Sequence, residues 1–294
     1  MQWQHTYKKP AIMTNKKSFS FEFFPPKTAA GRQKLDAVQA ELNTLGPEFF
    51  SVTYGAGGST RDNTKEIVLA MNAQSIATAP HLSFGADSEE DILELLGEYQ
   101  RAGVRRIVAL RGDMPSGMGA QRLVYASELV AFVRRHTGDY FDITVAAYPE
   151  IHPDADSFDA DIGFLRQKFD AGANSAITQY FYNADGYFYF VEQCRRAGIE
   201  QPIYPGIMPI TNYHNLARFS KNCGADIPRW ISQRLQGYGE DTASIRAFGI
   251  EVVTDLCERL LAGGAPGFHF YSMNQVEPNK TIWNNLDLSA HCAP

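Results

Sequence analysis

Short apolar runs alternate along this chain with longer stretches whose apolar positions recur every three or four residues. The short runs have strand length and the longer ones have helical periodicity. Strands are predicted over 19–24, 49–54, 76–82, 106–110, 142–148, 175–180, 203–207 and 267–273. Helices are predicted between them over 31–45, 60–72, 126–135, 161–171 and 187–197, and three more over 213–222, 228–235 and 242–261 precede the last strand. Ser88 opens a further helix with Asp91 three positions on, a near capping box. Strands joined by helices rather than tight turns imply a parallel sheet. Eight such units of similar length favour a closed barrel over an open sheet. The expected fold is α/β, a single (β/α)8 TIM barrel with additional helices before the last strand and at the C-terminus.

The 294 residues suit one barrel domain over 18–294. Residues 1–17 carry several Lys residues and no apolar segment, so a polar, mobile tail is expected there rather than a secretory signal. No apolar run reaches the length of a membrane span, and a cytoplasmic location is expected. A net charge of −6 disfavours nucleic acid as a partner. Cys194, Cys223, Cys257 and Cys292 are scattered without a C-x-x-C pair, as in a reducing compartment.

Chemistry enters at the strand ends. Glu22 lies in Ser20-Phe21-Glu22-Phe23-Phe24-Pro25-Pro26, and later runs end in Thr53-Tyr54, His81, Arg111-Gly112-Asp113, Tyr148 with His152, Gln179 and Asn274. Barrel enzymes collect their active sites from such positions. A carboxyl buried among the Phe residues would favour its protonated form, as a general acid requires; a strand-end ion pair is the alternative. The turn from Tyr54 through Gly55, Ala56, Gly57 and Gly58 is either a plain tight turn or a ligand loop using helix-terminal N–H groups. Arg111-Gly112-Asp113 is either an Arg–Asp surface pair or a mouth carboxylate beside approachable backbone, and its position favours the second. His81, Asp113 and His152 could converge on zinc, but composition does not supply a coordinating set, and no metal is expected. Gln179 can donate and accept toward a ring edge. Phe219 and the Tyr-rich runs at 180–182 and 187–189 read first as helix–sheet packing.

Taken in order, these motifs resemble methylenetetrahydrofolate reductase of the bacterial type. The match runs through Phe21-Glu22-Phe23-Phe24-Pro25-Pro26, Ser51-Val52-Thr53-Tyr54-Gly55-Ala56, Ala79-Pro80-His81-Leu82 and Ala109-Leu110-Arg111-Gly112-Asp113. It continues through Ala146-Ala147-Tyr148-Pro149-Glu150, Ile177-Thr178-Gln179, Pro205-Gly206-Ile207-Met208-Pro209 and His269-Phe270-Tyr271. The resemblance implies a flavoenzyme in which a nicotinamide nucleotide reduces FAD and leaves. The reduced flavin then passes hydride to 5,10-methylenetetrahydrofolate, giving 5-methyltetrahydrofolate for methionine synthesis by ping-pong kinetics. It also implies a homo-oligomer, dimer or tetramer, and NADH in preference to NADPH.

On the same resemblance, Glu22 is the acid that protonates the departing N10, Asp113 holds the pterin and tunes the flavin, and Gln179 orients both ligands. Phe219 stacks on whichever ligand is present. FAD would be held by Thr53, Tyr54, Ala56, His81, Leu110, Arg111, Gly112, Asp113, Tyr125, Ala126, Tyr148, His152, Ala155, Asp161 and Lys168, with Lys168 offsetting pyrophosphate charge. Four positions depart from the family pattern. Phe164 and Gln167 stand in place of Asn and Arg beside the cofactor, with Arg166 a candidate substitute, and Asn215 and Gln275 replace Gln and Arg near the folate tail. Two other readings remain: a non-catalytic flavin- or folate-binding subunit, and a folate-linked methyltransferase barrel without flavin.

Overall fold

The computed structural model describes residues 17–54, 61–84, 87–111 and 125–291. Eight parallel strands close into a barrel in chain order: β1 Ser18–Phe23, β2 Phe49–Val52, β3 Thr78–Leu82, β4 Arg106–Ala109, β5 Asp142–Ala147, β6 Ser175–Tyr180, β7 Ile203–Ile207 and β8 Gly267–Tyr271, with β8 pairing back onto β1. The helices are α1 Ala29–Asn43, α2 Arg61–Asn72, α3 Glu89–Ala102, α4 Ala126–Thr137, α5 Phe158–Asp170, α6 Ala184–Arg196, α7 Tyr213–Cys223, α8 Arg229–Tyr238, α9 Thr242–Ala262 and α10 Asn279–Asn285. The expected barrel and its extra helices are present. Strands β6 and β7 have the expected limits. The predicted β2, β4, β5 and β8 run one or two residues past the observed ends, β3 is predicted to begin two residues early and β1 is displaced by one. Thr53 N and Leu110 N still donate across to Phe23 O and Leu82 O just beyond the strand limits.

Local chemistry sets the helix ends. Ser88 Oγ accepts from Asp91 N while the Asp91 carboxylate accepts from Ser88 N, so Asp completes the capping box in place of Glu. Helix α5 begins at Phe158, ahead of the expected residue 161, because Ser157 caps it by accepting from Ala160 N.

Strand alternation divides the barrel wall into two faces. On β1, Phe19, Phe21 and Phe23 face the helical layer. The rings of Phe19 and Phe21 lie 5.4 and 5.3 Å from that of Trp283 on α10, and Phe23 stacks on Phe50 at 5.1 Å. Ser20 and Glu22 take the opposite face, toward the barrel axis. The Phe residues beside Glu22 in sequence therefore do not surround its carboxyl, which overturns the aromatic burial expected for it. A small apolar cluster of Phe49, Ala79 and Val108, with Leu110 against it, shares the lumen with Ser20, Ser51, His81 and His269. The aromatic runs at 180–182 and 187–189 are wall packing as expected except for the exposed Tyr189: Phe181 stacks on Tyr187 at 5.5 Å, and the buried Tyr187 hydroxyl donates to Ile203 O.

Candidate active site

Glu22 is the penultimate residue of β1, so it reaches the carboxyl-terminal mouth from inside the wall. Its register partners are Ser51 on β2 and Tyr271 on β8. Glu22 Oε2 lies 3.3 Å from His81 Nε2 and 3.6 Å from His269 Nε2. Burial, the dominant cause, pushes the His81 imidazole down to about 4 against the opposing pull of Glu22. At neutral pH His81 is therefore uncharged, and its approach to Glu22 is a contact with a neutral ring rather than an ion pair. Ser51 Oγ sits 3.3 Å from Nε2 of both histidines, and Ser20 Oγ lies 2.7 Å from His269 Nδ1. Ser272 Oγ donates to Glu22 O at 2.5 Å, tying the end of β1 to the chain after β8.

A second group gathers beyond β4 and β5. Arg111 Nη2 donates to Asp154 at 2.6 Å, Asp154 N donates to His152 Nδ1, and His152 N donates to Asp161 at 2.8 Å. The Tyr148 and His152 rings meet edge to face at 4.4 Å. Beneath them Lys168 donates to Ala146 O at 2.8 Å, and burial pushes its amine down to about 8. Burial likewise raises Asp161 above the ordinary carboxylate value, outweighing the pull of Lys168. Five of the expected cofactor residues thus form one connected patch: Arg111, Tyr148, His152, Asp161 and Lys168. Arg111 pairs with Asp154, while Asp113, the carboxylate of its own motif, lies outside the described residues.

A third group follows β2. Tyr54 donates to Asp87 at 2.5 Å, Arg61 bridges to the same carboxylate at 3.0 Å, and Thr64 Oγ1 donates to Thr53 O. Gln179 and Tyr148 line one cleft with Glu150, Tyr180 and Gly224, and Gln179 Oε1 accepts from Tyr180 N at 3.0 Å. Phe219 is half-buried on α7 and packs on the main core. Tyr125 caps α4 through its backbone, Ala126 is buried behind it, and Ala155 N donates to His152 O in the patch already described.

Some expectations need correction or fall elsewhere. Asn274, grouped in sequence with the useful strand ends, spends its amide on structure: Phe24 N donates to Asn274 Oδ1 and Asn274 Nδ2 donates to Phe24 O. Arg166 pairs with Asp170 along its own helix at 3.8 Å, and Phe164, two residues earlier, is exposed. Ala56, Gly112 and Asp113 lie outside the described residues, as do residues 1–16 of the expected tail. His269, Ser20, Ser51, Asp87 and Asp154 were not singled out from sequence. Ser20 shares the inward parity of Glu22, a signal that period-two counting on β1 carries; Asp87 and Asp154 carry none.

Eight parallel strands with ionisable side chains gathered at their carboxyl ends define a (β/α)8-barrel enzyme. Comparison with known proteins narrows the class. The profile described as methylenetetrahydrofolate reductase matches residues 8–287. The chain is 39% identical over 268 residues to the 5,10-methylenetetrahydrofolate reductase of Escherichia coli (strain K12), covering 91% of this chain and 90% of that one. It is also 39% identical to methylenetetrahydrofolate reductase (NADH) 1 of Arabidopsis thaliana, across 92% of this chain and 48% of the plant protein. A solved protein of Clostridium thermocellum, described as binding two copies of 5-methyl-5,6,7,8-tetrahydrofolic acid, shares the fold at a TM-score of 0.62 and 17% identity, over 94% of this chain and 97% of that one. This chain belongs to the methylenetetrahydrofolate reductase family, oxidoreductases of folate one-carbon metabolism. Among the described residues no helix is long and apolar enough to cross a membrane, and no cluster of His, Cys, Asp and Glu has the form of a metal site.

Proposed function

We propose that this protein reduces 5,10-methylenetetrahydrofolate to 5-methyltetrahydrofolate by a ping-pong reaction feeding methionine synthesis, with FAD resident and a nicotinamide nucleotide as reductant. The observation that carries the reading is the Glu22 carboxyl at the barrel mouth, held beside an uncharged imidazole. The donor set suits FAD. A dinucleotide brings a pyrophosphate, and the patch beyond β4 and β5 offers the Arg111 and Lys168 cations with carboxylates able to accept from ribose hydroxyls. Lys168 holds its charge where water solvates it poorly, a cost that a nearby anion relieves. When bound, the flavin supplies the site that accepts hydride from the nucleotide and returns it to the folate. NADH is preferred over NADPH, in line with the plant relative's name, and the working form is a homo-oligomer, dimer or tetramer.

The chain's own residues then have distinct tasks. The methylene bridge opens to a cation on N5 as N10 leaves, and that amine needs a proton. Glu22 delivers it, directly or through one water. Gln179 presents an amide that donates and accepts, so it can hold a pterin edge or a nicotinamide in turn. Asp113 accepts from the amino-pyrimidine edge of the pterin, and Phe219 supplies a ring face at α7 for stacking.

The test separates the two half-reactions. Glu22→Gln keeps flavin reduction by the nucleotide within about twofold and loses folate reduction by roughly 100-fold or more. Normal folate turnover by this variant would show that another group supplies the proton. A flavin absorption band in the purified protein distinguishes this reading from a flavin-free methyltransferase barrel.

A further inference from the structure

The reading of Glu22 as the acid leaves its buried neighbour on β8 without a task. His269 is 1% exposed, its ring stacks on Phe49 at 6.1 Å between centroids, and both of its nitrogens have partners in the lumen. A buried imidazole held on all sides costs free energy that apolar packing would not. Its orientation is specific. Nδ1 meets Ser20 Oγ at 2.7 Å, while Nε2 faces Ser51 Oγ at 3.3 Å and Glu22 Oε2 at 3.6 Å. A serine hydroxyl can donate or accept, whereas the carboxylate that Glu22 becomes on losing its proton only accepts. The tautomer compatible with both is therefore the one in which Ser20 donates to Nδ1 and Nε2 carries the hydrogen. The opposite tautomer sets a nitrogen lone pair against the carboxylate.

We propose that His269 is a positioning residue for the folate step: Ser20 fixes its tautomer so that the Nε2–H faces Glu22 and meets the negative charge the carboxyl acquires as its proton leaves. This rests on the assignment of Glu22 as the acid. The effect is differential, because the undissociated carboxyl gains little from the N–H and the developing carboxylate gains more. The proton lost from Glu22 goes to N10 and none passes through the imidazole, so the ring ends the step in the tautomer it began with. The other groups facing Glu22 among the described residues are His81 from β3, Tyr271 from β8 and the uncharged Ser51 from β2. Tyr271 spends its hydroxyl on Thr178 O, and among the described residues no serine contact like that of Ser20 on His269 Nδ1 fixes which nitrogen of His81 carries the hydrogen.

The experiment compares Ser20→Ala, His269→Leu and His269→Gln by rapid mixing, following flavin reduction by NADH and flavin reoxidation by methylenetetrahydrofolate separately across pH. Removing an N–H dipole that faces a carboxylate at 3.6 Å makes it the weaker acid. In His269→Leu the reoxidation step should slow by about tenfold or more, and the limb where its rate falls with rising pH should move up by about one pH unit. Ser20→Ala should move the limb in the same direction by less, and His269→Gln, which can return an N–H, should recover part of both effects. Flavin reduction by NADH should stay within about twofold throughout. A limb unmoved in His269→Leu, an equal loss in both half-reactions, or a glutamine variant no better than leucine would each overturn the proposal. Failure of the acid assignment is separately visible, since Glu22→Gln would then reoxidise with folate normally whatever the His269 variants do.

Discussion

Lys168 offers a stability test that does not depend on the reaction. Its amine sits under the β5 end, donating to Ala146 O at 2.8 Å, and burial pushes it from the ordinary 10.5 down to about 8, with Asp161 opposing and Arg111 reinforcing the shift. At about 1.4 kcal/mol for each tenfold change in proton affinity, holding the charged form in the fold costs about 3 kcal/mol at neutral pH. Lys168→Met removes that cost and the hydrogen bond to Ala146 O, worth about 1 kcal/mol. The net expectation is a protein about 2 kcal/mol more stable below pH 8. Between about pH 8 and 10.5 the unfolded lysine keeps its proton while the folded one loses it, so the parent gains stability as pH rises and the advantage of the variant shrinks. Urea denaturation of both proteins at pH 7, 8.5 and 9.5, without added flavin, reads the difference. A difference independent of pH, or a variant less stable at pH 7, would refute the argument that this cation is held at a cost. Under the proposed function the same variant binds FAD more weakly, which flavin content after gel filtration would show.

Two further substitutions probe the frame that holds the site. Gly206→Ala would place its Cβ 2.1 Å from Thr178 O and 2.7 Å from the Tyr271 ring, so strand β7 must shift where Tyr271 crosses to donate to Thr178 O. We expect a loss of about 2 kcal/mol or more in urea denaturation, and wild-type stability would show that the β6–β7 backbone gives way at little cost. Ser88→Ala removes one half of the α3 capping box and should cost about 1 kcal/mol by the same measurement, with activity retained because the cap lies on the exposed start of α3.

Much of the architecture was legible in the residues themselves. Apolar runs of strand length alternating with helical periodicity gave eight strands and the helices between them, because those periods follow from backbone geometry and a strand or helix must bury one face locally. The chemistry at the strand ends was legible as well, since a parallel barrel carries every strand end to one mouth, and Glu22, His81, Gln179 and Tyr148 all reach it. What surrounds each of those groups was not. Glu22 lies among phenylalanines in the chain, yet barrel closure turns their rings outward and sets its carboxyl against imidazoles contributed by β3 and β8. Asn274 has the form of a functional amide, but its contacts bind it to the backbone of Phe24, 250 residues earlier. Partners so far apart carry no local signature, because contact between them depends on register and curvature that all eight strands set together.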